Sequence, residues 1–462
     1  MPRDDYYSSP YEMEYCAIPE NCLRPDVLFL GSAVGLSAAA HLAAICPSLR
    51  SGIVVADAGG LDLLTHVSNM DVPRFPLLKE AAAHFGGKLS LWGTSAPRPP
   101  IEFLSRFPYA IEDLDHRFSL VESELGVADP IPYSGRGLES DVCRRLKCLF
   151  PDHRTRPAPL AIDRFGRRWS CVSQIPDLAG DGVKFLARFR CTHLHADARS
   201  LRGVRGTWLV NGREYVLKPQ VIVMALGVEQ SLPLVRQLCP TSLPIEAADH
   251  IRIDLHGSLP AGSFGDKPID ELGVAVFLME GLSGCGIPYH FEVKVAPRAL
   301  WRRFMPSGDN LRGRDAGHAI YVQIQAIAAM YDRLPAKDLL NVGPETAIPP
   351  VMSARDAAFH GNLVSLMSEV AKSLGLSAPT FSFRPLLANH HLYGAFRVGK
   401  AVSKEFLFDR TDNLYILPPT SYVDLDDDAN PTLKSLVLAQ YAMESLARRF
   451  VVGRGQSDAQ QP

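Results

Sequence analysis

Asp26-Val-Leu-Phe-Leu-Gly-Ser-Ala-Val-Gly-Leu-Ser-Ala-Ala-Ala40 is a short apolar run that stops at a glycine and resumes as an alanine-rich stretch. That order reads as strand, tight turn, helix. A second apolar run, Gly52-Ile-Val-Val-Ala56, closes on Asp57 and is followed by Gly59-Gly60. Strand, helix and strand within about 30 residues make a βαβ unit, which needs parallel pairing and a sheet covered on both faces. Gly31, Ser32 and Gly35 form the turn between the first strand and its helix. Glycines at such a turn let backbone approach a pyrophosphate, held where free helix N–H groups and the dipole favour an anion. Asp57 lies 26 residues after Gly31. A carboxylate about 20 residues on is the one that meets adenosine ribose hydroxyls in dinucleotide sites. The pattern departs from a full Gly-x-Gly-x-x-Gly: Ala33 takes the second glycine's place and the last glycine arrives one residue early. The same residues also suit an ordinary βα turn.

Outward from this unit, Ile111 to Gly126 reads as a helix with acidic residues at its start and a glycine stop. Residues 127–180, rich in Pro, Arg and Cys, read as irregular. Val183 to Val216 reads as a β-meander, with Asn211-Gly212 as a hairpin signal. Val221-Ile-Val-Met-Ala225 is another buried strand, closed by Gly227 and followed by a helix to Leu238. Between 240 and 345 the alternation of Phe291-Glu-Val-Lys-Val295 and Ala319-Ile-Tyr-Val-Gln-Ile324 predicts a largely antiparallel sheet. Ala354 to Gly375 is an amphipathic helix, Asn413 to Leu417 a strand, and Pro431 to Phe450 the last helix.

These pieces predict an α/β chain, α+β overall, whose Rossmann-like core is discontinuous and interrupted by a β-rich domain. Residues 1–24 form a lead-in. Residues 25–110, 181–240 and 385–455 make a nucleotide-type domain, and residues 111–180 with 241–384 make a substrate-binding domain.

The 462 residues are 47% hydrophobic and 21% charged, which excludes a largely disordered chain. Formal charge is −2, so no sequence-wide basic surplus draws the chain to nucleic acid or to an anionic membrane, although a local basic patch can still exist. Nine scattered cysteines without a Cys-x-x-Cys pair speak for reduced core thiols rather than a disulfide framework or zinc site. No metal site is expected. The N-terminal stretch lacks a basic start and apolar run, and the apolar stretch Val27 to Cys46 contains a glycine turn. The expectation is a cytoplasmic chain without a signal peptide or membrane span.

Three more segments are candidates for chemistry. His84-Phe-Gly-Gly-Lys-Leu-Ser-Leu-Trp-Gly93 pairs glycines around an apolar centre, as backbone packed against a flat group would require. Asn389-His-His-Leu-Tyr-Gly-Ala-Phe-Arg-Val-Gly399 carries adjacent histidines, of which one at most points into a pocket if the segment is a strand. Asn430-Pro-Thr-Leu433 opens the final helix and equally suits ordinary helix-start chemistry.

In order along the chain, these segments resemble the glucose-methanol-choline family of FAD-dependent oxidoreductases. Asp26 to Ala43 is similar to that family's FAD-binding start, and Gly86, Gly87, Trp92 and Gly93 to its flavin-side loop. Phe107 to Leu114 followed by Val121 to Val127 resembles its "YEDL … E-x-LGV" stretch, and Val221 to Ser231 its "VVLAAGAIET" strand. His391-x-x-Gly394-Ala-x-Arg397-Val-Gly399 is similar to "HxxGTxRMG", and Asn430-Pro431-Thr432-Leu433 to the closing "NPTL". Ala395 replaces the family's threonine, Pro418 stands where it has an aspartate facing FAD, and Lys88 occupies a usually small or polar position.

The resemblance implies FAD as cofactor, held in part by Gly31, Ser32, Gly35, Asp57, Gly86, Gly87, Trp92, Gly93, Gly227, Pro431 and Thr432. It implies oxidation of a CH–OH group on a small-molecule alcohol, sugar- or polyol-like, with oxygen or another acceptor taking the electrons. His391 matches the catalytic base and Asn430 the second catalytic residue. The chemistry agrees: loss of hydride from carbon needs a base for the hydroxyl proton, and neutral histidine serves near pH 7. Two other readings remain, a redox-neutral flavin-dependent rearrangement and a chain of this fold that has lost FAD and acts as a binding partner.

Overall fold

The computed structural model describes residues 18–60, 85–87, 89, 95–99, 113–128, 136–161, 169–239, 245–259, 263, 275–284, 286–297, 320–335, 352–383, 392–422 and 432–458. The main strands, in chain order, are β1 (Val27–Leu30), β2 (Ile53–Ala56), β3 (Arg154–Pro157), β4 (Lys184–Leu186), β5 (Phe189–Asp197), β6 (Ser200–Trp208) and β7 (Arg213–Leu217). They continue with β8 (Val221–Met224), β9 (His250–Leu259), β10 (Ala275–Leu282), β11 (Pro288–Pro297), β12 (Ile320–Ala329), β13 (Ser377–Phe383) and β14 (Leu414–Ile416). The main helices are α1 (Ala33–Ile45), α2 (Leu114–Leu125), α3 (Arg136–Leu149), α4 (Val228–Leu238), α5 (Ala354–Leu374) and α6 (Thr432–Asp458).

Five strands form one parallel sheet in the order β14-β8-β1-β2-β4. Numbered by their succession along the chain, they lie 3-2-1-4-5 across the sheet. Every residue of β1 and β2 is buried, as expected of strands covered on both faces. Helix α1 packs on the sheet and α6 packs on α1; Leu36, Ala38, Ala39 and Leu42 of α1 and Leu433, Leu436, Val437 and Ala439 of α6 are all buried. Across this layer Glu444 on α6 takes a two-pronged hydrogen bond from Arg117 on α2, one arm at 2.7 Å.

The second sheet is antiparallel, with order β13-β9-β12-β11-β10-β3. Its register is continuous over nine pairs between β11 and β12, from Tyr289 opposite Ala328 to Pro297 opposite Ile320. Tyr289, Phe291, Val293 and Val295 make the apolar face, which α5 covers; Phe359 meets the Tyr289 ring edge-on at 6.1 Å between centroids. A three-stranded meander, β5-β6-β7, connects β4 to β8.

The predicted βαβ start, the antiparallel region, the helix ending at Gly126 and the strand at 414–416 are all present. Two expectations need correction. Residues 127–180 are not irregular: α3 lies within them, along with β3 and a short helix at Ile175–Gly180. Helix α3 buries Val142 and Leu146, four residues apart, while half of its other positions are charged. That stripe is narrow enough to be hidden by the density of Arg and Cys. The segment beginning at Val183 also splits, because Lys184–Leu186 pairs with β2 in the parallel sheet rather than with the meander. The described cysteines form no disulfide. Among the described residues no helix is long and apolar enough to cross a membrane.

Candidate functional site

Strands β1 and β8 are neighbours, and the chain leaves them toward opposite edges of the sheet. In open parallel sheets the crevice at such a switch point, outside the carboxyl ends of the strands, is where ligands bind. Gly31 is the first residue beyond the carboxyl end of β1. Its φ is +94° and its N–H donates to the Ala56 carbonyl at 2.8 Å. A Cβ at Gly31 would stand 2.5 Å from the Ala225 carbonyl oxygen, so only glycine lets the backbones leaving β1 and β8 come this close. A Cβ at Gly35, one turn into α1, would lie 3.4 Å from Ala225 Cβ, which keeps the helix tight on the sheet.

Ser32, fully buried, precedes the first residue of α1. Its N–H donates to Asp57 Oδ2 at 2.7 Å and its hydroxyl donates to the same oxygen at 2.6 Å. The Ser32 Oγ in turn accepts the N–H of Gly86 at 2.6 Å. Asp57 Oδ1 accepts the N–H of Gly59 at 2.7 Å. The Asp57 backbone is held between strand ends, donating to Leu186 O at 3.1 Å and accepting from Phe189 N at 2.7 Å. One carboxylate therefore ties the turn after β1, the turn after β2 and the loop at Gly86 together. It rests at the N-terminal end of α1, where the free N–H groups and helix dipole attract negative charge.

Asp57 keeps some solvent access. Desolvation by its surroundings raises its pKa above the ordinary 3.8, and the hydrogen bonds from Ser32 and Gly59 offset part of that rise. Cys171 lies behind the loop, with its Sγ 3.9 Å from Gly86 O. Burial, and then the Asp57 charge, push its thiol up to about 12, so it stays protonated near neutral pH. Gly86 and Gly87 both have positive φ, +100° and +49°.

The far side of the crevice is formed after β8 and β14. Gly227, φ +78°, starts α4 and accepts the Ser231 N–H at 3.0 Å. The Ser231 hydroxyl is buried and has no hydrogen-bond partner. After β14 the chain passes through Pro418 and Pro419; Pro419 O accepts the N–H of Gly394 at 2.8 Å and Thr420 O that of Phe396 at 3.1 Å. The Thr420 hydroxyl is likewise buried without a partner. Thr432 opens α6. Ser32, Asp57, Gly59 and Gly86 thus meet in one hydrogen-bond network, with Gly31 next to Ser32 and Gly87 next to Gly86 along the chain. Trp92, Gly93, His391, Asn430 and Pro431 lie outside the described residues.

The sequence offers His290 as a candidate pocket aromatic, but the polar surface it belongs to escaped the sequence reading. His290, Glu292 and Lys294 alternate along β11 with the apolar residues that face α5. Opposite Glu292 stands Gln325, and opposite Gln325 stands Asp254. All of these except Lys294 are buried. Gln325 Nε2 donates to Asp254 Oδ1 at 2.6 Å, and Lys294 Nζ lies 2.5 Å from Glu292 Oε2. Burial alone would raise the Glu292 pKa, but the Lys294 charge and hydrogen bond outweigh it and hold the group below the ordinary 4.5. Ser95 lies near enough to Glu292 to help lower its pKa, so Ser95 reaches this face. Burial lowers the His290 pKa and keeps the ring neutral. Its Nε2 and the Gln323 Oε1 are buried with no partner. The available signal was the alternation of polar residues on β11 and β12, which says nothing about whether that side meets water.

Among the described residues no group of three or more His, Cys, Asp or Glu could hold a metal ion. No protein-family model matches the chain, and no curated protein matches it either.

Proposed function

We propose that this chain is an FAD-dependent oxidoreductase of the glucose-methanol-choline type, which oxidises a CH–OH group of a small sugar- or polyol-like molecule. The observation that carries the reading is the convergence of Gly31, Ser32, Asp57 and Gly86 at the carboxyl edge of a parallel sheet of order 3-2-1-4-5. That order and that edge are where dinucleotides bind in doubly wound folds.

The residues present are compatible with the cofactor. A carboxylate offers about four acceptor sites. Three are taken at Asp57, two by Ser32 and one by Gly59, which leaves one for a ribose hydroxyl. Gly31 and the start of α1 would hold the pyrophosphate, and Gly86 and Gly87 would lie toward the ring system. When bound, FAD supplies the hydride acceptor. His391 takes the substrate's hydroxyl proton as general base, a role worth about 10²–10⁴ in rate. Asn430 holds the same oxygen through its amide N–H₂ and orients the C–H bond. These two roles rest on the sequence resemblance. Recognition of the substrate's hydroxyl groups is assigned to the polar side of the antiparallel sheet, where His290 Nε2 and Gln323 Oε1 lack partners. The reading includes a cytoplasmic location.

The test is anaerobic addition of alcohols and sugars to the yellow protein. The flavin band should bleach with a substrate, and the His391→Ala variant should stay yellow and fail to bleach. Unchanged bleaching in that variant would remove His391 from the mechanism.

One observation favours a second reading, a binding protein that has dispensed with FAD. Asp57 already occupies the Ser32 N–H at the helix start, a donor that a pyrophosphate would otherwise use. Under that reading added FAD leaves the melting temperature unchanged, because only a ligand of the folded state raises it.

A further inference from the structure

The meander carries a charge distribution that the cofactor reading does not use. Lys184 to Lys218 holds eight Lys or Arg residues against only Asp197 and Glu214, in a chain whose formal charge is −2. Arg190, Arg213 and Lys218 are exposed, and none of the three is paired with a carboxylate among the described residues. The hairpin between β6 and β7 projects from this basic sheet. Its turn is firmly built: Gly212 N–H donates to Trp208 O at 2.9 Å and Arg213 N–H to Asn211 Oδ1 at 3.0 Å. Leu209 is pinned to the neighbouring strand end by its N–H on Arg188 O at 2.7 Å.

At the tip, where hairpins ordinarily carry small polar residues, stand Leu209 and Val210, 40% and 54% exposed. Val216, on β7 opposite Arg205, is 41% exposed. Apolar side chains held out on a rigid turn, flanked by unpaired basic residues, match the two needs of a surface that docks at a bilayer. The apolar tip gains by entering the headgroup boundary, and the cations gain from anionic lipid.

We propose that the β6–β7 hairpin is a peripheral docking site for a membrane rich in anionic phospholipid. Charge complementarity selects an anionic partner, and the aliphatic tip selects lipid over nucleic acid. Leu and Val offer no ring for base stacking, whereas they partition readily from water into hydrocarbon. The site is independent of the cofactor.

Co-sedimentation of the full chain with vesicles tests it. Vesicles of phosphatidylcholine with about 30% phosphatidylserine, a composition anionic enough to attract basic segments, should bind the protein, and pure phosphatidylcholine should not. Binding should weaken as salt is raised. An Arg190→Glu/Arg213→Glu variant should bind about 25-fold or more weakly, from roughly fivefold per basic residue. A Leu209→Ser/Val210→Ser variant should lose binding while keeping its melting temperature, since both side chains are exposed. Failure of the native chain to bind anionic vesicles at low salt overturns the proposal. So does binding that both variants retain, and so does binding of duplex DNA by a chain that ignores vesicles.

Discussion

Asp57 Oδ2 accepts both the N–H and the hydroxyl of Ser32, at 2.7 and 2.6 Å, across 25 residues of sequence. The carboxylate thus sits at the start of α1 as an internal anion. This contact, with the Ser32–Gly86 hydrogen bond, holds the end of the first strand, the end of the second and the loop at Gly86 together.

The first prediction concerns pH. Burial raises the Asp57 pKa above 3.8. A group whose pKa is raised on folding contributes stability that is complete at low pH and lost as the pH climbs through its folded value. Replacing Asp57 by Asn removes that titration. Denaturant unfolding at a series of pH values should show the native-minus-variant stability difference falling as the pH rises above 3.8. A difference independent of pH would mean that Asp57 does not titrate as its surroundings require.

Gly31→Ala should be costly. The new Cβ would meet backbone at Ala225, 2.5 Å away, at a φ of +94°. Positive-φ strain and overpacking each cost about 1–3 kcal/mol. Urea unfolding should show a loss of about 2–5 kcal/mol, whereas Gly212→Ala, at φ +70° with nothing within 4 Å, should lose only the strain part. Equal losses at the two sites would contradict the close approach of the strand ends.

Lys294→Ala should leave Glu292 as a buried charge without its cation. Breaking a buried pair by removing one partner costs about 3–5 kcal/mol. The deficit should shrink on acidification, because Glu292, no longer held below 4.5 by Lys294, would then be protonated in the folded protein. A loss under 1 kcal/mol, as for an exposed pair, would show that this face is open to water.

The sequence made the βαβ start legible because Gly31 punctuates an apolar run and Asp57 ends the next one. Both signals are local. The Ser32–Gly86 hydrogen bond joins residues 54 apart and depends on how a loop folds back, which no period or spacing encodes. Helix α3 was missed because its buried Val142 and Leu146 stand among Arg144, Arg145 and Lys147. On β11 the alternation correctly gave a strand. An antiparallel strand with one polar side usually turns that side to water. Here Glu292 and Gln325 are buried, and burial is a property of what packs over the sheet rather than of the strand.

The visible absorption spectrum of the purified protein, before and after acid precipitation, decides whether the chain carries FAD. A flavin spectrum should pass into the supernatant as FAD, and added FAD should raise the melting temperature of the stripped protein. A colourless protein whose melting temperature FAD leaves unchanged would contradict the FAD reading and leave Asp57 as the permanent occupant of the anion site at α1.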